Sequence, residues 1–350
     1  MNRFFENIHH RLAALALLIG SLTLAGCDNF IYDDEGDCDP YYKVRFVYDR
    51  NLKFTDAFAA EVYDVTLYLI DDATGNIVWQ RRENGEELRR EGYLMNLEGV
   101  EPGVYSLVAW AGEGHQSNFE VADGTRGEHL VCTLGRTRGE GGPAESNANL
   151  QRLYHGRLMA QSFPDEQGVH IYNVPLTKNT NDIHVVLQHL GGTPMKPDDF
   201  LFTIEDANGI MDWDNSLLPD ETITYRPWAV NAVSAGVDIP EELEPELEGR
   251  AITNVTACVA DLTVARLMAD RRLDAKLKVT NAHTGETMIS IPLIDYCLMV
   301  KGNYRPMDDQ EYLDRQDDYS MVFFLDRNSK VINTVVLINS WKVIFQDSPV

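Results

Sequence analysis

The sequence predicts an all-β protein: two β-sandwich domains behind an N-terminal signal segment and a short acidic tether. Apolar and polar residues alternate with period two through a series of short segments, Gly/Pro/Asn/Asp clusters separate those segments, and long helical periodicity is missing. The expected boundaries are residues 1–26 for the signal, 27–39 for the tether, 40–176 for the first sandwich and 177–350 for the second.

At the N-terminus, Arg3 and Arg11 flank a polar stretch, and an apolar run follows from Leu12 to Ala25. The run is shorter than the roughly 20 residues that a membrane-spanning helix needs. It ends in small residues, as a processed signal does. The last four positions, Leu24-Ala25-Gly26-Cys27, form a lipobox, so cleavage is expected between Gly26 and Cys27. The Cys27 thiol then becomes a thioether to diacylglycerol, and its new amino group takes an N-acyl chain. Each buried methylene contributes roughly 0.8 kcal/mol, and two or more chains give stable anchoring. No other cofactor is expected.

Residues 28–39 are acidic and rich in turn formers, with Asp28, Asp33, Asp34, Glu35 and Asp37. Acidic residues directly after a lipidated cysteine look like the surface-export signal of Bacteroidota lipoproteins, which points to the outer face of the outer membrane. From Tyr42 the chain alternates strictly, with Val44, Phe46 and Tyr48 on one face and Lys43, Arg45 and Val47 on the other. Similar segments recur at Val62–Ile70, Ile77–Arg81, Val104–Trp110 and His170–Leu176. Asp71–Asn76 is expected to close a hairpin, and Glu101-Pro102-Gly103 to open a strand. Gly135–Asn149, glycine-rich and polar, is expected to be a long exposed loop.

The second half starts strands at Asn181–Leu187 and Phe200–Ile204, then resumes from Ile252 after an acidic insert, Asp238–Glu248. Lys276–Asn281 and Thr287–Leu293 flank a turn as a hairpin. Met321–Leu325, Val331–Ile338 and Trp341–Phe345 read as a closing meander. Val264–Arg271 is the one segment with helical character.

The chain has 350 residues and a formal charge of −25. Removal of residues 1–26, which carry Arg3, Arg11 and Glu6, makes it one unit more negative. Such a field repels nucleic acid and anionic headgroups, so membrane contact is expected through the lipid and no nucleic acid is an expected partner. Besides Cys27 there are Cys38, Cys132, Cys258 and Cys297. An exported compartment permits disulfides among these four, in three possible pairings; buried free thiols are the other reading.

No catalytic residues are expected. GxSxG, Walker, dinucleotide and HExxH motifs are missing, and Gly139-Glu140-Gly141-Gly142 lacks the lysine of a phosphate loop. His184 and His189 lie five residues apart, hence on opposite faces of a strand, and no metal site is expected. Asp206, Asn208, Asp212, Asp214 and Asn215 lack the spacing of a calcium loop and read as solvated turn residues.

The order of these pieces resembles the FimB-like fimbrial anchor lipoproteins of Bacteroidales, a type V fimbrial family. The carriers are the lipobox, Ile31–Asp34 with Asp37-Cys38, Val44–Asp49, Val65–Asp71 with Gly75-Asn76, and Pro102–Trp110. In the second half they are Asn181–Val185, Asn208-Gly209, Asp214–Pro219, Ile223–Trp228 and Ile338–Trp341. The resemblance implies transthyretin-like sandwiches and a base subunit that anchors a fimbrial shaft to the outer membrane and influences fimbrial length. It implies a fimbrillin as partner and strand exchange as the joint. The candidate segment is the apolar C-terminal stretch carrying Val331, Val335, Val336, Ile338, Trp341, Val343 and Phe345; an ordinary pair of core strands is the alternative. Two rival functions stand beside the anchor. A glycan-binding surface lipoprotein would use exposed aromatic residues, Trp213 and Trp228 being the loop pair. A hydrolase would need a carboxylate pair that nothing in the sequence selects.

Overall fold

The computed structural model describes residues 40–112, 117–189, 194–236, 254–304, 306–325, 331–338 and 341–345. The fold is all-β, as the alternation predicts. The signal, the tether, Gly26, Cys27 and Cys38 lie outside the described residues, as does the acidic insert Asp238–Glu248.

The first sheet begins with β1 (Pro40–Val47), whose Tyr42, Val44 and Phe46 are buried while Tyr41 and Arg45 are exposed. It continues with β2 (Asp64–Asp71), β3 (Ile77–Asn84), β4 (Met95–Asn96) and β5 (Gly103–Ala111). Two later strands complete it, β10 (Tyr154–Phe163) and β11 (Gly168–Lys178), in the order β3-β2-β5-β10-β11-β1-β4. The strand β11 changes layer. Gly168–Pro175 runs parallel to β1, whereas Leu176–Lys178 pairs with the start of β10. That switch folds the sheet over its own core, which contains Phe46, Leu67, Leu107 and Phe163.

Between β5 and β10 the chain forms β6 (Phe119–Val121), β7 (Cys132–Leu134), β8 (Thr137–Arg138) and β9 (Ala144–Ser146). The second half supplies β12 (Thr180–His189), β13 (Phe200–Asp206), β14 (Ile210–Met211), β15 (Ile223–Tyr225), β16 (Ala229–Gly236) and β17 (Asn254–Ala265). It ends with β18 (Lys276–Asn281), β19 (Thr287–Pro292), β20 (Asp318–Leu325), β21 (Val331–Ile338) and β22 (Trp341–Phe345). One sheet runs β16-β17-β12-β20-β21-β22, a second β19-β18-β13-β15-β9-β8, and a small third β14-β7-β6. On β12 the buried Ile183, Val185 and Leu187 alternate with half-buried neighbours, as a strand with one apolar face requires.

The strands from 119–146 therefore pair with second-half strands: β9 lies parallel to β15, and β7 pairs with β14. The sheet carrying β2 and β5 is also buried on both faces. Leu67, Leu69, Leu107 and Ala109 face the first core, while Ile70, Val108 and Trp110 belong to the second.

Two local expectations are corrected. Gly135–Asn149 is not one exposed loop, because Ala144 and Ser146 are buried and β9 is held by its ladder to β15. Val264–Arg271 is not a helix. Extended pairing continues to Ala265 opposite Thr180, with only a 3-10 turn at Ala269–Arg271. Helices form instead at α1 (Phe58–Glu61), α2 (Leu293–Met299) and α3 (Asp309–Arg315). The Asp308 carboxylate caps α3 by accepting from the Glu311 amide at 2.7 Å.

Candidate functional site

Val331–Ile338 is dense in β-branched residues, which suits a pleated strand. The backbone follows: β21 pairs with β20 from Ser320↔Leu337 to Leu325↔Val331, and with β22 from Thr334↔Phe345 to Ile338↔Trp341. Val331, Val335, Val336 and Ile338 thus lie on a strand with neighbours on both sides, and Trp341, Val343 and Phe345 on the last strand of the sheet. Among the described residues no strand covers the outer side of β22. The outermost strand of a sheet is in general where a further strand can add. The opposite edge of this sheet is β16, where Val233 is 52% exposed.

Of the four cysteines that export would allow to pair, Cys38 lies outside the described residues. No disulfide joins Cys132, Cys258 and Cys297 to one another; all three are buried in the second core, and the Cys258 and Cys297 thiols are free. Each acts there as a small hydrophobe. Burial pushes the Cys258 thiol up to about 11 and raises Cys297 further, so both stay protonated at neutral pH.

The acidic turn is more structural than its composition suggests, and the expectation of solvated residues is corrected at three positions. Asp206 is buried and accepts from Arg271 at 2.8 Å; burial outweighs that bond and leaves its carboxyl above the usual range. Asn208, fully buried, donates to the carbonyls of Ala265 and Arg266 and accepts from the Tyr225 hydroxyl at 2.6 Å. Asn215 is buried in the left-handed region at φ 70° and bonds Asn179. Asp212 and Asp214 cap local amides at Trp213 and Ser216.

His184 is half-buried and bonds Asp261 at 2.6 Å, while His189 is buried on the other face of β12. Among the described residues no group of three or more His, Cys, Asp or Glu is placed to hold a metal ion. Trp213 is half-buried under the Arg157 guanidinium at 5.4 Å, and its carbonyl accepts from His155. Trp228 is 40% exposed. Of this loop pair Trp228 offers the exposed aromatic surface, while Trp213 is engaged by its own chain. Among the described residues no helix is long and apolar enough to cross a membrane.

A protein-family comparison matches residues 34–347 to the family described as fimbrillin-A associated anchor proteins Mfa1 and Mfa2. A search of curated proteins gives no match. Among solved structures, a candidate adhesin from Bacteroides thetaiotaomicron is 35% identical, with TM-score 0.76 over 89% of this chain and 100% of that one. A second protein of Bacteroides thetaiotaomicron, described as a candidate polysaccharide-binding protein, is 27% identical, with TM-score 0.71 over 88% of this chain and 99% of that one. The fimbrial anchor protein Mfa2 from Porphyromonas gingivalis shares the fold at 15% identity, with TM-score 0.61 over 88% of this chain and 99% of that one. With the family match running over residues 34–347 of 350, this chain belongs to the family of fimbrillin-A associated anchor proteins Mfa1 and Mfa2.

Proposed function

We propose that the chain is a lipidated anchor subunit that attaches a fimbrial shaft to the outer membrane and influences fimbrial length. The family is one of non-enzymatic, cell-surface fimbrial proteins that associate with fimbrial subunits. The observation that carries the finer reading is the reach of that match, residues 34–347, which begins a few residues after the lipobox cysteine. Cys27 carries the diacylglycerol and the N-acyl chain, residues 28–39 hold the sandwiches off the membrane, and the shaft subunit adds a strand at the open side of β22. Main-chain hydrogen bonds along an edge resist load because many must break together.

Cys27→Ala tests the anchor. The variant is expected to lose its lipid and release fimbriae into the medium; fimbriae that stay attached, with unchanged membrane fractionation, overturn it. Crosslinking the intact lipoprotein in its own outer membrane tests the partner, with recovery of shaft subunits as the expected outcome. A second reading is favoured by the relative described as polysaccharide-binding and by the exposed Trp228. It predicts recovery of a glycan-uptake transporter instead, and loss of glycan binding in Trp228→Ala.

A further inference from the structure

Where the two cores meet, an open cleft of about 370 Å³ is lined by Arg50, Arg157, Thr177, Asn215, Arg266 and Met268. Arginines gather here although the chain as a whole carries −25. Arg50 donates to the Thr177 hydroxyl at 3.0 Å, and Arg157 lies over the Trp213 ring. Among the described residues neither of these two makes a salt bridge.

Arg266 is buried, at 7% exposure. Its Nη1 donates to the Asn215 carbonyl at 2.7 Å and its Nη2 to both oxygens of Asp314, at 2.8 and 3.1 Å. Its Nε is buried with no hydrogen-bond partner. Among the described residues the one carboxylate lining the cleft is Asp214, whose Oδ1 already accepts from the amide and hydroxyl of Ser216; Asp314 lies behind Arg266. His155, also on the wall, is held neutral by burial, with its pKa lowered to about 3.

The charges decide the ligand. Three guanidinium groups stand against Asp314 and Asp214, which leaves one net positive charge. A monoanion neutralises it, whereas a dianion would leave a second negative charge uncompensated beside Asp214. Two of the guanidinium forks are free of carboxylate partners, and a planar carboxylate matches such a fork in two parallel bonds.

We propose that this cleft is a carboxylate-binding site, with Arg50 and Arg157 gripping the ligand against the buried Arg266. The proposal does not rest on the anchor reading, because it concerns binding by the isolated protein. The carboxylate belongs either to a small free acid or to an acidic side chain of another protein.

The test is thermal unfolding of the full mature lipoprotein in detergent, titrated with acetate, with an Asp/Glu-rich peptide and with sulfate, each against chloride at matched ionic strength. Acetate and the peptide are expected to raise the unfolding temperature saturably beyond chloride, and sulfate is not. Tighter binding of the peptide assigns the ligand to a protein side chain; equal binding assigns it to a free acid. Arg157→Gln and Arg50→Gln change exposed side chains outside the buried pair, so they keep the fold, and each is expected to weaken binding about tenfold, the scale of one lost charge-assisted contact. The site is overturned if neither carboxylate exceeds chloride, if sulfate binds best, or if both variants bind like the parent chain.

Discussion

His155 sits on β10 with its ring edge-on to Trp110 at 4.6 Å and its Nε2 donating to the Trp213 carbonyl at 2.9 Å. A carbonyl only accepts, so Nε2 carries the proton. Burial first, then the nearby Arg266 and Arg157, lower the ring's pKa from 6.5 to about 3. The native ring stays neutral where the unfolded chain takes up a proton, so the stabilising effect is present above pH 6.5 and is lost as pH falls toward 3. The slope from this one residue is at most about 1.4 kcal/mol per pH unit. Urea denaturation of His155→Gln across that window is expected to show a flatter pH dependence than the parent; an identical dependence refutes the assignment. Arg266 and Asp314 give a second prediction. Both side chains are about nine-tenths buried, so Asp314→Ala strands a buried guanidinium and should cost about 3–5 kcal/mol. Arg266→Met with Asp314→Leu removes both charges and should cost much less. Equal losses in the single and double variants would show that the pair is not held as a desolvated unit.

At the scale of elements, β5 leaves its sheet at Gly112, which only glycine fits. Its φ is +86°, and a Cβ there would lie 1.8 Å from the Arg152 carbonyl oxygen. The Gly112 amide donates to Asp64, which also accepts from Arg82, so the strand exit is tied to β2 and β3. Overpacking and the left-handed backbone together should make Gly112→Ala cost about 3 kcal/mol, read as a lower denaturation midpoint with an unchanged slope. Strands with clean alternation, β1, β12 and β18, were legible from sequence to within a few residues because one face of each pattern is apolar, and the pair β21–β22 was legible as a β-branched, apolar run. The strand β10 was not. Its register shifts between Leu158 and Gln161, where Ala160 takes φ 50° and the Ser106 hydroxyl accepts its amide, and a bulge of that kind breaks the period. The helix α3 carried a readable signal in Asp308-Asp309-Gln310-Glu311, a capping residue with a glutamate three places on. The polar side chains of the 206–215 turn could not be sorted from sequence, because the burial of Asp206, Asn215 and Asn208 depends on Arg271, Asn179 and Tyr225, which lie elsewhere in the chain. The arginine cleft was illegible for the same reason. Arg50, Arg157 and Arg266 are scattered along the chain and converge only when the two cores meet.

At the scale of the whole molecule, the sheet shared by the two cores determines how the chain should unfold. Ile70, Val108 and Trp110 project from the first sheet into the second core, where Phe119, Leu130, Cys132 and Leu134 also lie. The hairpin at Asp71–Asn76 is tied to the 125–127 turn through Ile77 and Gly127, and Arg315 of α3 donates to the Asp49 carbonyl at 2.9 Å. A cut at residue 177 would uncover these side chains in the first fragment. Each large apolar side chain returned to water loses about 1.5–3 kcal/mol, so the set amounts to roughly 10 kcal/mol, as large as the whole stability of an ordinary domain. The fragment 40–176 is therefore expected to lack a cooperative transition and to bind a hydrophobic dye, while the intact mature chain unfolds in one calorimetric step. Co-expression with 177–350 should restore the transition, since the missing partner surface is then supplied in trans. A fragment 40–176 that melts cooperatively alone would show that β6–β9 pack on the first core without the second, and that the shared sheet does not couple the two cores.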